Sequence, residues 1–168
     1  MAKTSGGNRA LKKDSREYRK RQIEVVTMLA SGKYSSVTMS DKTGGYVAIE
    51  KSSQRHKPEE IEAATHLANK GYKVILKDEA GQVKTPDGYL FTASFEQRTP
   101  IQTSVNRALE HARDKRVDVA LIYDKNHIYH RADIDKGLIK YEHYNKYRFK
   151  QIIVISKDGK IHRHKHNE

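Results

Sequence analysis

The sequence contains no cysteine and no tryptophan, and only three prolines and three phenylalanines. The absence of cysteine excludes disulfides, thiolate nucleophiles and cysteine-ligated zinc or iron–sulfur sites. No stretch reaches the roughly 18–20 consecutive apolar residues of a membrane-spanning helix, and the N-terminal segment lacks the apolar core of a signal peptide. We therefore expect a protein that is cytoplasmic at synthesis and has no membrane partner.

Positive charge is what the sequence has in excess. The 168 residues carry 33 Lys+Arg against 21 Asp+Glu, a formal net charge of +12 and a pI near 9.7. This balance attracts polyanions and indicates nucleic acid as a partner, although it says nothing about the fold. Half of the excess lies in residues 1–21, so we predict a flexible basic arm over 1–14, followed by a single domain over 15–168. The candidate substrate-binding residues are Arg16, Arg19, Lys20, Arg21, Lys84 and Arg107.

Hydrophobic periodicity predicts the element order α, ββ, α, βββ, α, β, α, ββ. The helices are expected over 15–31, 58–71, 103–115 and 131–146. The strands are expected over 34–39, 45–50, 72–77, 89–96, 117–123, 151–156 and 160–164, with a short extended segment over 83–85. This order is typical of an α+β fold, a mixed, largely antiparallel β-sheet with helices packed on it, preceded by an N-terminal basic helix.

Acidic and basic side chains follow one another where two of these strands meet. Asp87 lies in a Thr-Pro-Asp-Gly segment, and Glu96 and Arg98 share one face of the next strand because side chains alternate along a strand. Two carboxylates and a cation in this arrangement can hold a divalent metal and orient a phosphodiester. The alternative is structural: Asp87 makes the turn, and Glu96 pairs with Arg98 on a solvated strand.

Several segments between residues 59 and 124 together resemble the C-terminal nuclease domains of bacterial polymorphic toxins. These are EEIEAATHLANKGYKVIL, TPDG, FEQRTP, TSVNRALEHA and VDVALIYD. The likeness is greatest to the tRNase-type domains of contact-dependent inhibition effectors and to related phage and mobile-element proteins. It implies a motif-bearing core over 58–124, an endoribonuclease acting on structured RNA such as tRNA, delivery into a target bacterium, and an acidic immunity or antitoxin protein as partner.

Two nuclease architectures compete for this resemblance. The metal-dependent PD-(D/E)xK core would use Asp87 and Glu96 as magnesium ligands. The metal-independent group, which includes barnase, EndoU, colicins and RelE, cleaves RNA by acid–base chemistry without a cofactor. Relatives of this kind usually have Glu-x-Lys at the strand end, where this chain has Arg98. A guanidinium, with a pKa above about 12, cannot transfer a proton but binds two phosphate oxygens, which favours the metal-independent reading.

The resemblance carries over Glu96, Arg98 and Thr99 as candidate catalytic residues. A non-catalytic nucleic-acid-binding protein on a nuclease scaffold stays a third reading, because the usual lysine is replaced by Arg98.

Metal-free cleavage also needs a proton-transfer group, and the sequence contains nine histidines. His127 and His130 follow a buried strand, where ligand sites collect in sheet proteins. His162 follows an Asp-Gly turn, which in one reading places it on the folded sheet, facing the site. His130 and His162 are therefore the candidate catalytic histidines. The alternative for residues 161–166 is a solvated basic tail, which the pattern favours because ligands on one unsupported strand end rarely make a site.

Overall fold

The computed structural model of the chain describes residues 7–51, 56–78 and 85–166. The helices are α1 (Arg16–Ala30), α2 (Pro58–Ala68), α3 (Val105–Asp114) and α4 (Arg131–Tyr144). The strands are β1 (Tyr34–Met39), β2 (Tyr46–Glu50), β3 (Lys73–Leu76), β4 (Gly88–Leu90), β5 (Ala93–Arg98), β6 (Val119–Asp124), β7 (Gln151–Ser156) and β8 (Ile161–His164). The predicted element order and the α+β fold class, with α1 at the N-terminus, are confirmed. In the described part of the chain, no helix has both the length and the apolarity needed to cross a membrane.

The chain divides into two compact units, residues 1–92 and 93–168. In the first unit, β1 and β2 are antiparallel, β2 and β3 are parallel, and β3 and β4 are antiparallel. Helix α1 contacts β1, and α2 contacts β2 and β3. Helix α2 buries most of its predicted apolar face. In α1 the apolar spacing indicated the wrong face, because Tyr18, Arg21 and Val25 are buried whereas Ile23, Val26 and Leu29 are exposed.

The described part of the predicted N-terminal arm packs on this first unit. The Asn8 side chain donates to the Leu90 carbonyl and accepts from the Lys73 amide, at 3.1 and 2.9 Å. Leu11 is buried, and its amide donates to the Thr43 carbonyl at 2.8 Å. Gly71 allows the N-terminal segment to pass close to the backbone at this position, because a Cβ on residue 71 would lie 2.2 Å from the amide nitrogen of Ala10.

In the second unit, β5, β6 and β7 run parallel, and β8 pairs with β7 in the antiparallel direction. The apolar faces of α3 and α4 pack on this sheet. Their core is the cluster Val105, Ala108, Leu109, Ala112, Ala120, Ile122, Tyr141, Phe149, Ile152 and Val154, together with Val117. The nearly continuous apolar run of β6 is buried along its whole length, as expected for a central parallel strand.

One strand boundary differs from the prediction. The strand expected over 89–96 is two strands, β4 and β5, separated by Phe91 and Thr92. Phe91 has φ 59°, the left-handed region, so the backbone cannot continue as a strand there. A Phe-Thr pair contains none of the Gly, Asn or Asp residues that normally indicate such a turn, so the sequence pattern did not predict a break between the two strands.

Candidate active site

A single cross-strand row in the second unit carries two of the predicted catalytic residues. Arg98 is in register with Ile122, Ile122 with Val154, and Val154 with His162. Ile122 and Val154 belong to the core beneath α3 and α4, so Arg98 and His162 lie on the same helix-covered face. They occupy the two ends of a row of four strands, about 14 Å apart at a spacing of about 4.8 Å per strand. The structure therefore brings them onto one face but not into one site.

His162 lines a cleft of about 520 Å³ where the parallel strands β6 and β7 end. Residues of the second unit alone line it: Asp124, His127, Tyr129, Arg131, Ile134, Val154, Ser156, Ile161, His162, Arg163 and His164. His127 and Arg131 are exposed on the wall formed by the β6–α4 loop and the first turn of α4, and His162 is exposed on the β8 wall. A helix N-terminus and a cationic side chain both favour an anion at this position.

Asp124 organises the loop that carries His127. Its two carboxylate oxygens accept the backbone amides of Ile128 and Tyr129, at 2.9 and 3.2 Å. Its own carbonyl accepts the amide of His127, which adopts a left-handed conformation with φ 52°. A carboxylate that satisfies two loop amides holds the turn in one shape, so the His127 ring is presented at a defined edge of the cleft.

Burial shifts the pKa values of two other side chains that line the cleft, Tyr129 and His164. Burial raises the pKa of Tyr129 to about 12, and its hydroxyl donates to the Thr103 carbonyl, so it stays protonated at neutral pH. Burial also lowers the pKa of His164, and the neighbouring charges of His162 and Arg131 act in the same direction against the opposing effect of Asp135. His164 is therefore neutral near pH 7, while His127 and His162 are the imidazoles that solvent reaches.

The predicted histidine His130 lies beside the cleft and not among its lining residues. It precedes the first residue of α4, and its amide donates to the Asp133 carboxylate at 2.8 Å. The solvated-tail alternative for residues 161–166 is wrong. β8 pairs with β7, and the His166 ring stacks on Tyr141 with ring centroids 5.5 Å apart.

The Glu96 and Arg98 side chains at the end of β5 are engaged by helix α3. The Glu96 carboxylate is buried and pairs with the Lys115 ammonium at 3.0 Å. Arg98 is exposed, and its guanidinium lies 2.6 Å from Nδ1 of His111. The expected structural pairing of Glu96 with Arg98 is replaced by these two contacts, because both side chains face α3. The Thr99 hydroxyl oxygen accepts a hydrogen bond from the side-chain amide of Gln97 at 3.3 Å.

The remaining predicted residues are dispersed. Asp87 is buried in the first unit, whereas Glu96 belongs to the second. Arg16 and Arg19 are exposed on α1, Lys20 is half-buried there, and Arg107 is exposed on α3; Lys84 lies outside the described residues. In residues 7–51, 56–78 and 85–166, no three His, Asp or Glu side chains converge as potential metal ligands.

Arg21 differs from the other basic residues of α1. It is fully buried, and its guanidinium donates to the carbonyls of Gly7, Gly44 and Gly71 at 3.2, 3.2 and 3.4 Å. Its position four residues from Val25 and three from Tyr18, both buried, would have indicated this face of the helix. Arg21 is a structural residue and is not available to a phosphate.

Sequence reasoning did not assign roles to Asp124, Arg131, His164, His111 and Lys115. Asp124 and Arg131 had a usable signal, since they end a buried strand and begin the following helix. His111 and Lys115 had only the i, i+4 spacing on α3, which does not say which strand residues they meet.

No protein-family model and no curated protein sequence matches the chain. Its fold is similar to that of a chain in the solved CdiA-CT/CdiI toxin and immunity complex from Burkholderia pseudomallei. The TM-score is 0.52 with 21% identity, and the match covers 70% of this chain and 98% of that chain. The resemblance to contact-dependent inhibition proteins is thus confirmed at the level of the fold.

Proposed function

We propose that this protein is a toxin-like endoribonuclease that cleaves RNA without a metal ion, in the cleft at the ends of β6 and β7. The observation that carries the proposal is the presence of exposed His127 and His162 on two different walls of one cleft, together with Arg131. Imidazoles that flank a phosphate-binding cation are the groups that acid–base cleavage of RNA requires.

The two histidines supply the proton transfers of this reaction. One imidazole accepts the proton of the ribose 2′-hydroxyl, whose oxygen attacks the adjacent phosphorus. The bond from phosphorus to the 5′-oxygen breaks, and the second imidazole donates a proton to that oxygen. The products are a 2′,3′-cyclic phosphate and a 5′-hydroxyl. Arg131 stabilises the negative charge that develops on the phosphoryl oxygens.

The biological setting follows from the same proposal. The likeness to a chain of a toxin and immunity complex supports a toxin role, delivery into a target cell, and an immunity protein as partner. The net charge of +12 supports a nucleic-acid substrate. Structured RNA, with tRNA as the first choice, is the proposed substrate.

The test is a cleavage assay with the purified chain on total bacterial RNA and on plasmid DNA, each with magnesium and with chelator. We expect RNA cleavage in chelator, cyclic-phosphate ends and intact DNA. His162→Gln and His127→Gln are each expected to lower the rate by about 10²–10⁴, the usual worth of a general acid or base. His143→Gln is the matched control, an exposed histidine on α4 away from the cleft lining, and should cleave normally.

Three outcomes would contradict the proposal. Cleavage that needs magnesium and disappears in Asp87→Ala would support the PD-(D/E)xK alternative. RNA binding without cleavage under all conditions would support the non-catalytic alternative. Normal cleavage by both cleft variants would show that the reaction occurs elsewhere on the chain.

A further inference from the structure

We infer that Arg98, Arg107 and His111 form a second phosphate-binding site, the strand-end subsite, which holds a nucleotide of the RNA other than the one cleaved. The inference rests on the proposed function, because it assigns this surface to the same substrate. It also accounts for the FEQR strand end, which the cleft chemistry does not use.

The geometry of the strand-end subsite joins two elements of the second unit. Arg98 ends β5 and places its guanidinium 2.6 Å from Nδ1 of His111 on α3. Arg107 lies four residues before His111, so both side chains occupy one face of the helix. Arg98, Arg107 and His111 are all exposed. Three nitrogen-bearing side chains from this strand end and this helix face are therefore presented to solvent.

Some of the cations around the strand-end subsite form ion pairs with carboxylates and others do not. Lys115 pairs with Glu96 at 3.0 Å, and Arg113 pairs with Asp114 at 2.9 Å. Within the described residues, the guanidiniums of Arg98 and Arg107 form no ion pair with a carboxylate, although acidic side chains are present on the same helix. Two guanidiniums that lack counter-ions and both act on His111 favour an external anion, and a guanidinium matches the geometry of phosphate oxygens.

The pKa of His111 responds to the charges of this surface. The charged groups that act on it are Arg98 from β5 and Arg107, Glu110 and Asp114 from α3. Partial desolvation of the ring lowers its pKa, and Arg98 and Arg107 lower it further, while the two carboxylates oppose them. The neutral ring accepts from Arg98 through Nδ1 and thereby orients the guanidinium. A bound phosphate would offset the two positive charges and raise the pKa of His111.

The position of the strand-end subsite defines what it binds. Arg98 and His162 end the same cross-strand row, about 14 Å apart at the usual strand spacing. A phosphate bound at Arg98 is therefore separate from the phosphate at the cleft, and only a substrate of several nucleotides reaches both. The strand-end subsite thus recognises the backbone of a longer RNA and does not take part in bond cleavage.

The first test compares two substrates, a dinucleotide and an RNA of about twenty nucleotides, in Arg98→Gln and Arg107→Gln. We expect each variant to raise KM for the longer RNA by about 10- to 100-fold, the usual worth of one charge-assisted hydrogen bond, with kcat unchanged. Dinucleotide cleavage should stay at the wild-type rate. Lys146→Gln, an exposed cation after α4, is the matched control. A loss of kcat on both substrates would overturn the inference and return Arg98 to the catalytic centre.

The second test separates this inference from the proposed function, because it needs no cleavage. A fluorescent 2′-deoxy oligonucleotide of the same sequence is titrated at several salt concentrations. Arg98→Gln should weaken binding and lower the slope of log K against log salt by about 0.7, the value for one phosphate contact with a single strand. Affinity and slope equal to those of Lys146→Gln would overturn the inference even if the cleft cleaves RNA.

NMR provides a readout at His111 itself. Titration of the full chain with the same oligonucleotide should shift the imidazole pKa of His111 upward in the wild type and not in Arg98→Gln. An unchanged His111 pKa in the saturated wild type would exclude a phosphate at this surface.

Discussion

The guanidinium of Arg21 connects three separate segments of the first unit through the carbonyls of Gly7, Gly44 and Gly71. Replacing it with methionine keeps an unbranched, flexible side chain and removes the guanidinium with all of its donors. Buried acceptors that lose their donors cost about 1–3 kcal/mol each, so we expect Arg21→Met to lower the free energy of unfolding by at least about 2 kcal/mol. Urea denaturation measures this. Arg19→Met, exposed on the same helix, should change stability by less than about 0.5 kcal/mol.

His164 contributes to the pH dependence of stability. Its pKa is lowered in the folded protein, chiefly by burial, so the unfolded chain binds more protons at acidic pH. Stability is therefore full above the unfolded pKa of about 6.5 and is lost as pH falls through the lowered folded pKa. We expect His164→Gln to lose less stability than the wild type between about pH 7.5 and 5. Equal losses in denaturation curves, or the same change in His143→Gln, would refute the assignment.

Helices α3 and α4 pack closely because of one small residue. A Cβ on Gly137 of α4 would lie 2.4 Å from the Cβ of Val105 on α3, nearer than atoms can approach. The two helices cover the sheet of the second unit, and α4 carries Arg131 into the cleft, so their spacing sets one wall of the proposed active site. Gly137 therefore has a packing role that outweighs its poor helix propensity.

We expect Gly137→Ala to destabilise the protein by about 1–3 kcal/mol, the usual effect of overpacking, despite the gain of up to about 1 kcal/mol in helix propensity. It should also lower RNA cleavage, because a displaced α4 moves Arg131. Lys136→Ala, on the exposed side of the same turn, is the control. Thermal unfolding and cleavage rates test both effects. A stabilised Gly137→Ala variant would show that the helices separate without cost.

The basic surface of the whole molecule consists of parts with different tasks. Arg16 and Arg19 are exposed on α1 and Lys20 is half-buried there, whereas residues 8 and 11 of the N-terminal segment are bound to the first unit. Deleting residues 1–14 would therefore remove packing as well as charge. Substitutions on α1 isolate the electrostatic contribution more cleanly than a deletion does.

The triple substitution of Arg16, Arg19 and Lys20 by glutamine should weaken RNA binding at low salt without changing which bond is cut. Each lost phosphate contact lowers the slope of log K against log salt by about 0.7, so the slope should fall by up to about 2. Binding at several salt concentrations and mapping of the cleavage products measure the two expectations. An unchanged slope would mean that α1 does not contact the RNA.

The element order and the fold class could be read from the sequence, because the period of apolar residues is a local property that each helix and strand carries by itself. The same holds for His162, since the Asp-Gly turn and the apolar run before it already placed it on the last strand of the sheet. The Phe91 turn could not be read, because its backbone conformation is not favoured by the residues that adopt it.

The partners of the candidate residues were decided by the tertiary structure. Glu96 and Arg98 are two residues apart in sequence, yet they meet Lys115 and His111, because α3 packs on the face of β5 that carries them. Arg98 and His162 were expected in one site, but two strands lie between them. The period of apolar residues is set by neighbours a few residues apart in the sequence. The distance between two strands depends instead on the order of all the strands in the sheet.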